Sequence, residues 1–501
     1  MSTQHFDTLI IGAGLSGIGT AVHLHKGHPE RSLAIIERRE RLGGTWDLFR
    51  YPGIRSDSDM ASFGYRFKPW DSNKVLADGP SIRRYIAETA QENGLLEKIQ
   101  YGLKIVESNW CSDSQRWLLT AQKTDTGETE HFTCKFLINC SGYYNYDAGY
   151  RPSFPGEENF RGQIIHPQAW PEDLDYAGKR VLVIGSGATA VTVVPTMART
   201  AAHVTMLQRS PSYVFSLPDT DKMAKLLRRF LPQKLVYRLV RGRNIAFQRG
   251  LYLACRRWPR MMRRFLLSHV ARQVGPDFDM RHFTPRYMPW DERLCAVPDG
   301  DLFVALREKR ASMVTDHIDT FTEQGVRLKS GDEIQADIIV TATGLNLQML
   351  GGMELKIDGE TTPLNRQMTY KGALVENIPN FMWVFGYTNA PWTLKSDIAG
   401  RYLCRLFDYM DQRGLAVVTP RDAQGNATDD GILDTLQSGY VQRGKACLPR
   451  QGRKGPWRVL MHYGKDKKAL LEHPVDDGCL EFQGVYSAVT EAESGPLASA
   501  A

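Results

Sequence analysis

Thr8-Leu9-Ile10-Ile11-Gly12-Ala13-Gly14-Leu15-Ser16-Gly17 is an apolar run closed by a glycine-rich turn, followed by a helical pattern through Ala21, Val22 and Leu24. The run suits a central parallel strand. One such turn is weak support for a nucleotide site, but the chain repeats it. Arg180-Val181-Leu182-Val183-Ile184 leads into Gly185-Ser186-Gly187-Ala188-Thr189-Ala190 and a second helix. In each turn one glycine permits the tight bend and one lets the backbone approach a pyrophosphate. The last small residue lets helix and strand pack closely. The pyrophosphate rests on free N–H groups at the positive end of the helix. The predicted fold is therefore α/β, with two Rossmann-like dinucleotide-binding domains.

The strands that come next distinguish the two nucleotides. Ser32-Leu33-Ala34-Ile35-Ile36 ends at Glu37, a carboxylate placed to accept from an adenosine ribose hydroxyl, as FAD or NAD requires. His203-Val204-Thr205-Met206-Leu207 ends instead at Gln208-Arg209-Ser210. A carboxylate there would repel a 2′-phosphate, whereas a guanidinium binds it in bidentate fashion, so the second nucleotide is expected to be NADP. The bland alternative for Arg209 is a solvated surface arginine. Two such sites on one chain imply electrons passing from one nucleotide to the other.

Working outward, 501 residues are too many for a single hydrophobic core. The first nucleotide domain is expected over residues 1–145 and, after a return of the chain, 341–501 including the C-terminal tail. The second is expected over 150–215 and 290–340, with a helical insertion at 216–289. Residues 103–136 read as a β-meander turning at Asp125-Thr126-Gly127, and a hairpin turns at Ser330-Gly331-Asp332. An apolar fraction of 42% and a charged fraction of 24% exclude a disordered or fibrous class. No apolar stretch approaches the ~20 residues that span a bilayer, and no N-terminal signal is visible before the first strand. Eight cysteines scattered singly fit reduced thiols of a cytoplasmic protein.

Charge is distributed unevenly. Residues 222–272 hold fifteen Lys or Arg and no Asp or Glu; with a total of +7, the remainder carries about −8. Leu226, Leu227, Phe230, Leu231, Leu235, Leu239, Leu251, Leu253, Phe265 and Leu266 recur within this block at helical intervals. One reading is a helical subdomain whose Arg stems cover a core. The other is a peripheral contact with an anionic membrane. Nucleic acid is not expected, since no recognition motif accompanies the charge.

Between the two nucleotide units lies Phe160-Arg161-Gly162-Gln163-Ile164-Ile165-His166-Pro167-Gln168-Ala169-Trp170-Pro171. This segment matches every specified position of the F-x-G-x-x-x-H-x-x-x-W-P fingerprint, and the chain resembles the type I Baeyer–Villiger monooxygenases, class B flavoprotein monooxygenases. Related N- and S-oxygenating enzymes usually end that motif with an aromatic residue and Lys or Arg. Two further family motifs are present as Gly43-Gly44-Thr45-Trp46 with Tyr51-Pro52-Gly53 and Asp57, and as Asp337 with Ala342-Thr343-Gly344. Leu345 follows where the family commonly has Tyr or Phe. Segments such as Cys140-Ser141-Gly142-Tyr143-Tyr144-Asn145-Tyr146 are similar to the mycobacterial ethionamide-activating subgroup.

The resemblance implies FAD in the first site and NADPH in the second. It further implies a C4a-peroxyflavin that inserts one atom of molecular oxygen beside a ketone carbonyl, giving an ester or lactone. Sulfides and thioamides are candidate substrates of the same site. Alternatives are an enzyme that mainly oxygenates N or S, and a membrane-docked flavoprotein. A disulfide reductase would need a cysteine pair near the flavin, which the spacing does not provide.

By the same resemblance, Arg293 is the active-site cation and Asp57 the carboxylate beside it; a guanidinium keeps its charge and cannot quench an anion by protonating it. A structural ion pair for Arg293 and a loop cap for Asp57 are the alternatives. Flavin-side contacts are assigned to Gly12, Gly14, Ser16, Gly17, Glu37, Gly44, Thr45, Trp46, Arg55, Asp57 and Ile105. Those to NADP are assigned to Gly185, Ser186, Gly187, Ala188, Thr189, Ala190, Arg209 and Ser210. Many family members carry Lys just before the arginine, contacting the 2′-phosphate; this chain has Glu292. Phe160, Gly162, His166 and Trp170 read as hinge residues, with acid–base work by His166 as the alternative. Trp392 is the candidate wall of the substrate pocket, or a packing residue. The oligomeric state stays open.

Overall fold

The structure is a computed structural model describing residues 3–292, 294–434 and 436–485. Arg293, the expected catalytic cation, and residues 486–501 of the expected tail lie outside the described residues.

The strand Gln4–Ile11 pairs in parallel with Leu33–Ile36 on one side and Thr129–Asn139 on the other. Leu9 and Ile11 pack into one core cluster and Ile10 into another on the opposite face. That alternation is the period-two consequence of the pleat, and burial on both faces explains the unbroken apolar run. The meander strands Leu103–Cys111 and Arg116–Lys123 extend the same sheet antiparallel. The expected meander end and the apolar strand after it prove to be one strand, Thr129–Asn139. Eleven residues suffice to pair with Arg116–Lys123 up to Cys134 and then with Phe381–Trp383 from Leu137 onward. The chain therefore returns to this sheet after residue 353, through Glu354–Ile357 and Phe381–Trp383. The helix Trp392–Asp411 packs on the first helix, Leu15–Gly27.

A second, all-parallel sheet has the order Ala311–Thr315, His203–Gln208, Arg180–Ile184, Ile338–Thr341 and Gln163–Ile165. Val181 and Val183 face one core, Leu182 and Ile184 another. The three-stranded antiparallel unit Ile318–Thr322, Gly325–Leu328 and Glu333–Gln335 flanks it.

The basic block forms the helices Lys222–Leu227, Gln233–Arg257 and Pro259–Val274. Its inner face is hydrogen-bonded to the first domain through Arg228, Tyr237, Asn244 and Gln248, and through one buried guanidinium. Arg241 donates to the carbonyls of Ala61, Ser62 and Gly64 at 2.8–2.9 Å, at the C-terminal end of the short helix Met60–Phe63. A cation is favoured at that end of a helix. Among the described residues no helix is long and apolar enough to cross a membrane.

Candidate active site

Both glycine turns stand at the C-terminal ends of parallel-paired strands, where an α/β fold leaves a crevice. In the first, a Cβ on Gly17 would lie 1.8 Å from the Gly12 carbonyl oxygen, so no side chain fits beneath the helix start. Gly44 closes over this turn; its Cβ would come within 3.0 Å of the Gly14 Cα, and its φ of +56° suits glycine. In the second turn, a Cβ on Gly187 would meet nothing within 4 Å. That open space above free helix N–H groups is the cradle an incoming pyrophosphate requires. Ala190, at the third small position, is fully buried against the sheet.

One cavity of about 460 Å³ joins the two turns. Gly12, Gly14, Glu37 and Ile105 line one end, and Ala188 and Thr189 the other. Glu37 is buried, and its carboxylate accepts from the backbone N–H of Ala13 at 2.7 Å and of Arg39 at 2.9 Å. Burial raises its pKa despite those bonds and the neighbouring arginines. Each oxygen keeps a lone pair for a further donor, which a ribose diol supplies. The residues present thus fit a dinucleotide in the first turn.

Thr45, Trp46, Arg55 and Asp57 also line the cavity, as do Ser16 and Trp392. Asp57 lies close enough for its charge to act on the Tyr51 phenol. Trp392 stacks on Tyr143, centroids 5.2 Å apart, and donates its indole N–H to Ser16 Oγ at 2.8 Å. It therefore lies across the mouth of the first helix as well as walling the cavity. Arg55, expected at the flavin, forms an ion pair at 2.7 Å with Asp301, the first residue of the helix Asp301–Arg307 in the second domain. Burial raises the Asp301 pKa, opposed by this guanidinium.

The Tyr-Pro-Gly motif has a role that spacing alone does not disclose. Tyr51 packs in the core of the second domain and hydrogen-bonds Thr189, while a Cβ on Gly53 would lie 2.2 Å from Thr196 Oγ1. The segment is a wedge of the first domain seated on the helix that follows the second glycine turn.

The fingerprint segment lies at the chain crossings. His166 Nε2 bonds the Gly344 carbonyl at 3.2 Å, and its Nδ1 accepts from the Gln168 N–H at 3.2 Å. The ring covers residue 149, where a Cβ would fall 2.0 Å from Cε1. Both strands of chain that link the domains thus meet on one imidazole, and burial lowers its pKa. A Cβ on Gly162 would strike the Asp337 carbonyl at 2.3 Å and the Phe160 ring at 2.6 Å, which accounts for the F-x-G spacing. Trp170 is half-buried against the second-domain core, and Leu345 also packs there.

Arg209 and Ser210 are exposed just past the strand His203–Gln208, and Ser186 Oγ bonds Ser212 Oγ at 3.1 Å. Two further charges converge on Arg209. Half-buried Glu292 has its pKa raised by burial, with the Arg209 cation opposing the rise. Arg443, from the short helix Gly439–Gly444, stands 3.4 Å above the Tyr150 ring. Burial, and then the charge of Arg209, lower its pKa. Arg443 was invisible to motif reading, since it lies 234 positions from Arg209 in the chain.

Comparisons with known proteins agree with this geometry. The model of the flavin-binding monooxygenase-like family matches residues 55–241, and that of the NAD(P)-binding Rossmann-like domain matches residues 10–69. The protein of Mycobacterium tuberculosis named as an FAD-containing monooxygenase, MymA, is 64% identical over 96% of this chain and 98% of its own. The FAD-containing monooxygenase EthA of Mycolicibacterium smegmatis is 49% identical over 98% of this chain and 100% of its own. Among solved structures, an oxidized steroid monooxygenase bound to NADP superposes with a TM-score of 0.76 at 21% identity, over 96% of this chain and 100% of that one. With near full-length identity to such relatives and both nucleotide turns in place, the chain belongs to the FAD-containing flavin-binding monooxygenases.

Proposed function

We infer that this monooxygenase takes electrons from NADPH and inserts one oxygen atom from O2 beside a ketone carbonyl, yielding an ester or lactone. The observation that carries the reading is the segment Phe160 to Pro171. It ends Trp170-Pro171 rather than with a basic residue, and its His166 bonds the Gly344 carbonyl where the chain passes between the two domains.

Gly12, Gly14, Gly44 and Glu37 would hold FAD, and Gly187, Ala188, Thr189 and Arg209 would hold NADPH. FAD supplies the two-electron redox and oxygen chemistry that side chains lack. The chain binds, orients and excludes water. Trp392, stacked on Tyr143, and Phe63 present apolar surface to the cavity, which limits solvent and proton access to the reacting atoms. Arg293 provides a permanent cation for oxyanion character developing on substrate, with Asp57 orienting it. His166 and the Tyr51 wedge let the second domain move relative to the first without losing register. Arg209 and Ser210 recognise the 2′-phosphate, and Arg443 supplies the second cation that Glu292 does not.

The test is Arg293→Ala. Flavin reduction by NADPH should persist while O2 is consumed as hydrogen peroxide and ester yield falls about 100-fold or more, as loss of a charge-stabilising donor predicts. Normal ester yield overturns the assignment. Assaying a ketone and a sulfide side by side separates ester formation from sulfoxide formation; sulfoxide alone would favour the S-oxygenating reading.

A further inference from the structure

We propose that the outer face of the helical insertion docks on an anionic lipid surface. Ten of the fifteen exposed large hydrophobic side chains among the described residues fall between Met223 and Phe265. Isolated exposed apolar residues are ordinary, but such a concentration marks an interaction surface. Phe230 is 78% exposed and Leu226 54%.

The helix Gln233–Arg257 shows how the pattern is built. Leu235, Leu239, Ala246 and Leu253 fall on one outward stripe at 100° per residue, opposite buried Tyr237 and Cys255. Arg238 and Arg249 flank the stripe on one side, Arg243 and Arg257 on the other. On the helix Pro259–Val274, exposed Met261 and Phe265 run beside Arg260 and Arg264. An apolar stripe bordered by long cationic side chains is what a helix lying in the headgroup region presents.

Charge selects the occupant. The block holds fifteen cations and no carboxylate of its own. Among the described residues only Arg243 and Arg256 pair with carboxylates, Asp221 and Asp291. A second copy of this face would bring like charges together, whereas an anionic bilayer neutralises them. Phe247 is both 56% exposed and part of the cavity lining, so the cavity opens beside this face.

The test is flotation of the full-length, FAD-loaded protein with vesicles of phosphatidylcholine alone or with phosphatidylglycerol at 30 mol%, at low salt and at 0.5 M NaCl. The expected result is binding to the phosphatidylglycerol vesicles at low salt, weakened by salt and absent from pure phosphatidylcholine. The triple variant Phe230→Ser, Leu239→Ser, Phe265→Ser should lower that binding about tenfold or more while keeping its flavin. Arg260→Gln with Arg264→Gln, which leaves the apolar stripe intact, should lower it by a smaller factor. Binding to neither vesicle, equal binding to both, or wild-type binding by both variants overturns the proposal. A dimer in solution that the serine variant dissociates, without vesicle binding, assigns the face to a second copy instead. Flotation needs no turnover, so failure here leaves the oxygenation reading intact, and failure of that reading leaves docking intact.

Discussion

The two glycine turns share a plan and differ in enclosure. The first is closed: Gly17 is buried, Gly44 lies against Gly14, and Trp392 bonds Ser16 from a segment nearly 400 residues away. At the second, Gly187 and Ala188 are exposed and no atom stands within 4 Å of where a Gly187 side chain would begin. A nucleotide in the first would be walled in by long-range contacts and leave rarely. One in the second would exchange with solvent at each turnover. The same local motif thus serves a resident cofactor or a co-substrate according to what the rest of the chain places above it.

The largest effect that would break this contrast is expected from Gly17→Ala. Its new methyl would overlap the Gly12 carbonyl, an overpacking cost of about 3 kcal/mol or beyond. The purified variant should be colourless or unfolded, read from its flavin absorbance and thermal melt. Arg209→Ala should leave the flavin bound while raising the NADPH KM about 10- to 100-fold, from the loss of charge-assisted bonds to phosphate. The NADH KM should change little. Arg443→Ala is expected to act in the same direction by about three- to fivefold, because an exposed cation that also stacks on the Tyr150 ring is screened by solvent and only partly directed at the phosphate. Glu292→Lys sharpens the point in the other sense: removing a carboxylate beside Arg209 and adding a cation should raise NADPH over NADH preference about five- to tenfold. Steady-state kinetics with both nucleotides measures all three.

The smallest effect concerns the chain crossings at His166. Burial holds His166 below its usual value of 6.5, so the folded state takes up the proton less readily than the unfolded chain. The stability contributed by the neutral ring is complete above about pH 6.5 and is lost as pH falls toward the lower folded value. Urea midpoints at pH 7.5 and 5.5 should differ more for the wild type than for His166→Gln. Equal pH dependence in the two would remove His166 as the source.

Much of this was legible from local patterns. The apolar runs, glycine spacings and Glu37 identify both nucleotide units because a strand, a tight turn and a helix N-terminus demand particular residues over some thirty positions. The basic block read as helical, and it is. Its exposed stripe was less legible, since leucines at helical spacing look alike whether they face a core or solvent. Arg55 read as a cofactor neighbour; the ion pair with Asp301 depends on two domains meeting. Trp392 read as a wall, and its hold on Ser16 follows only from the helix Trp392–Asp411 lying against Leu15–Gly27.

By itself, then, the chain's order of residues determined two dinucleotide folds, the charged side chain just past each second strand, and a cationic helical insertion. These depend on backbone geometry and side-chain chemistry that operate within one supersecondary unit. Only the tertiary structure decided which turn is enclosed, that one imidazole joins both crossings, and that Arg443 comes to stand near Arg209. Those relations join residues hundreds of positions apart, and they arise where separately folded surfaces pack together, which no local spacing records.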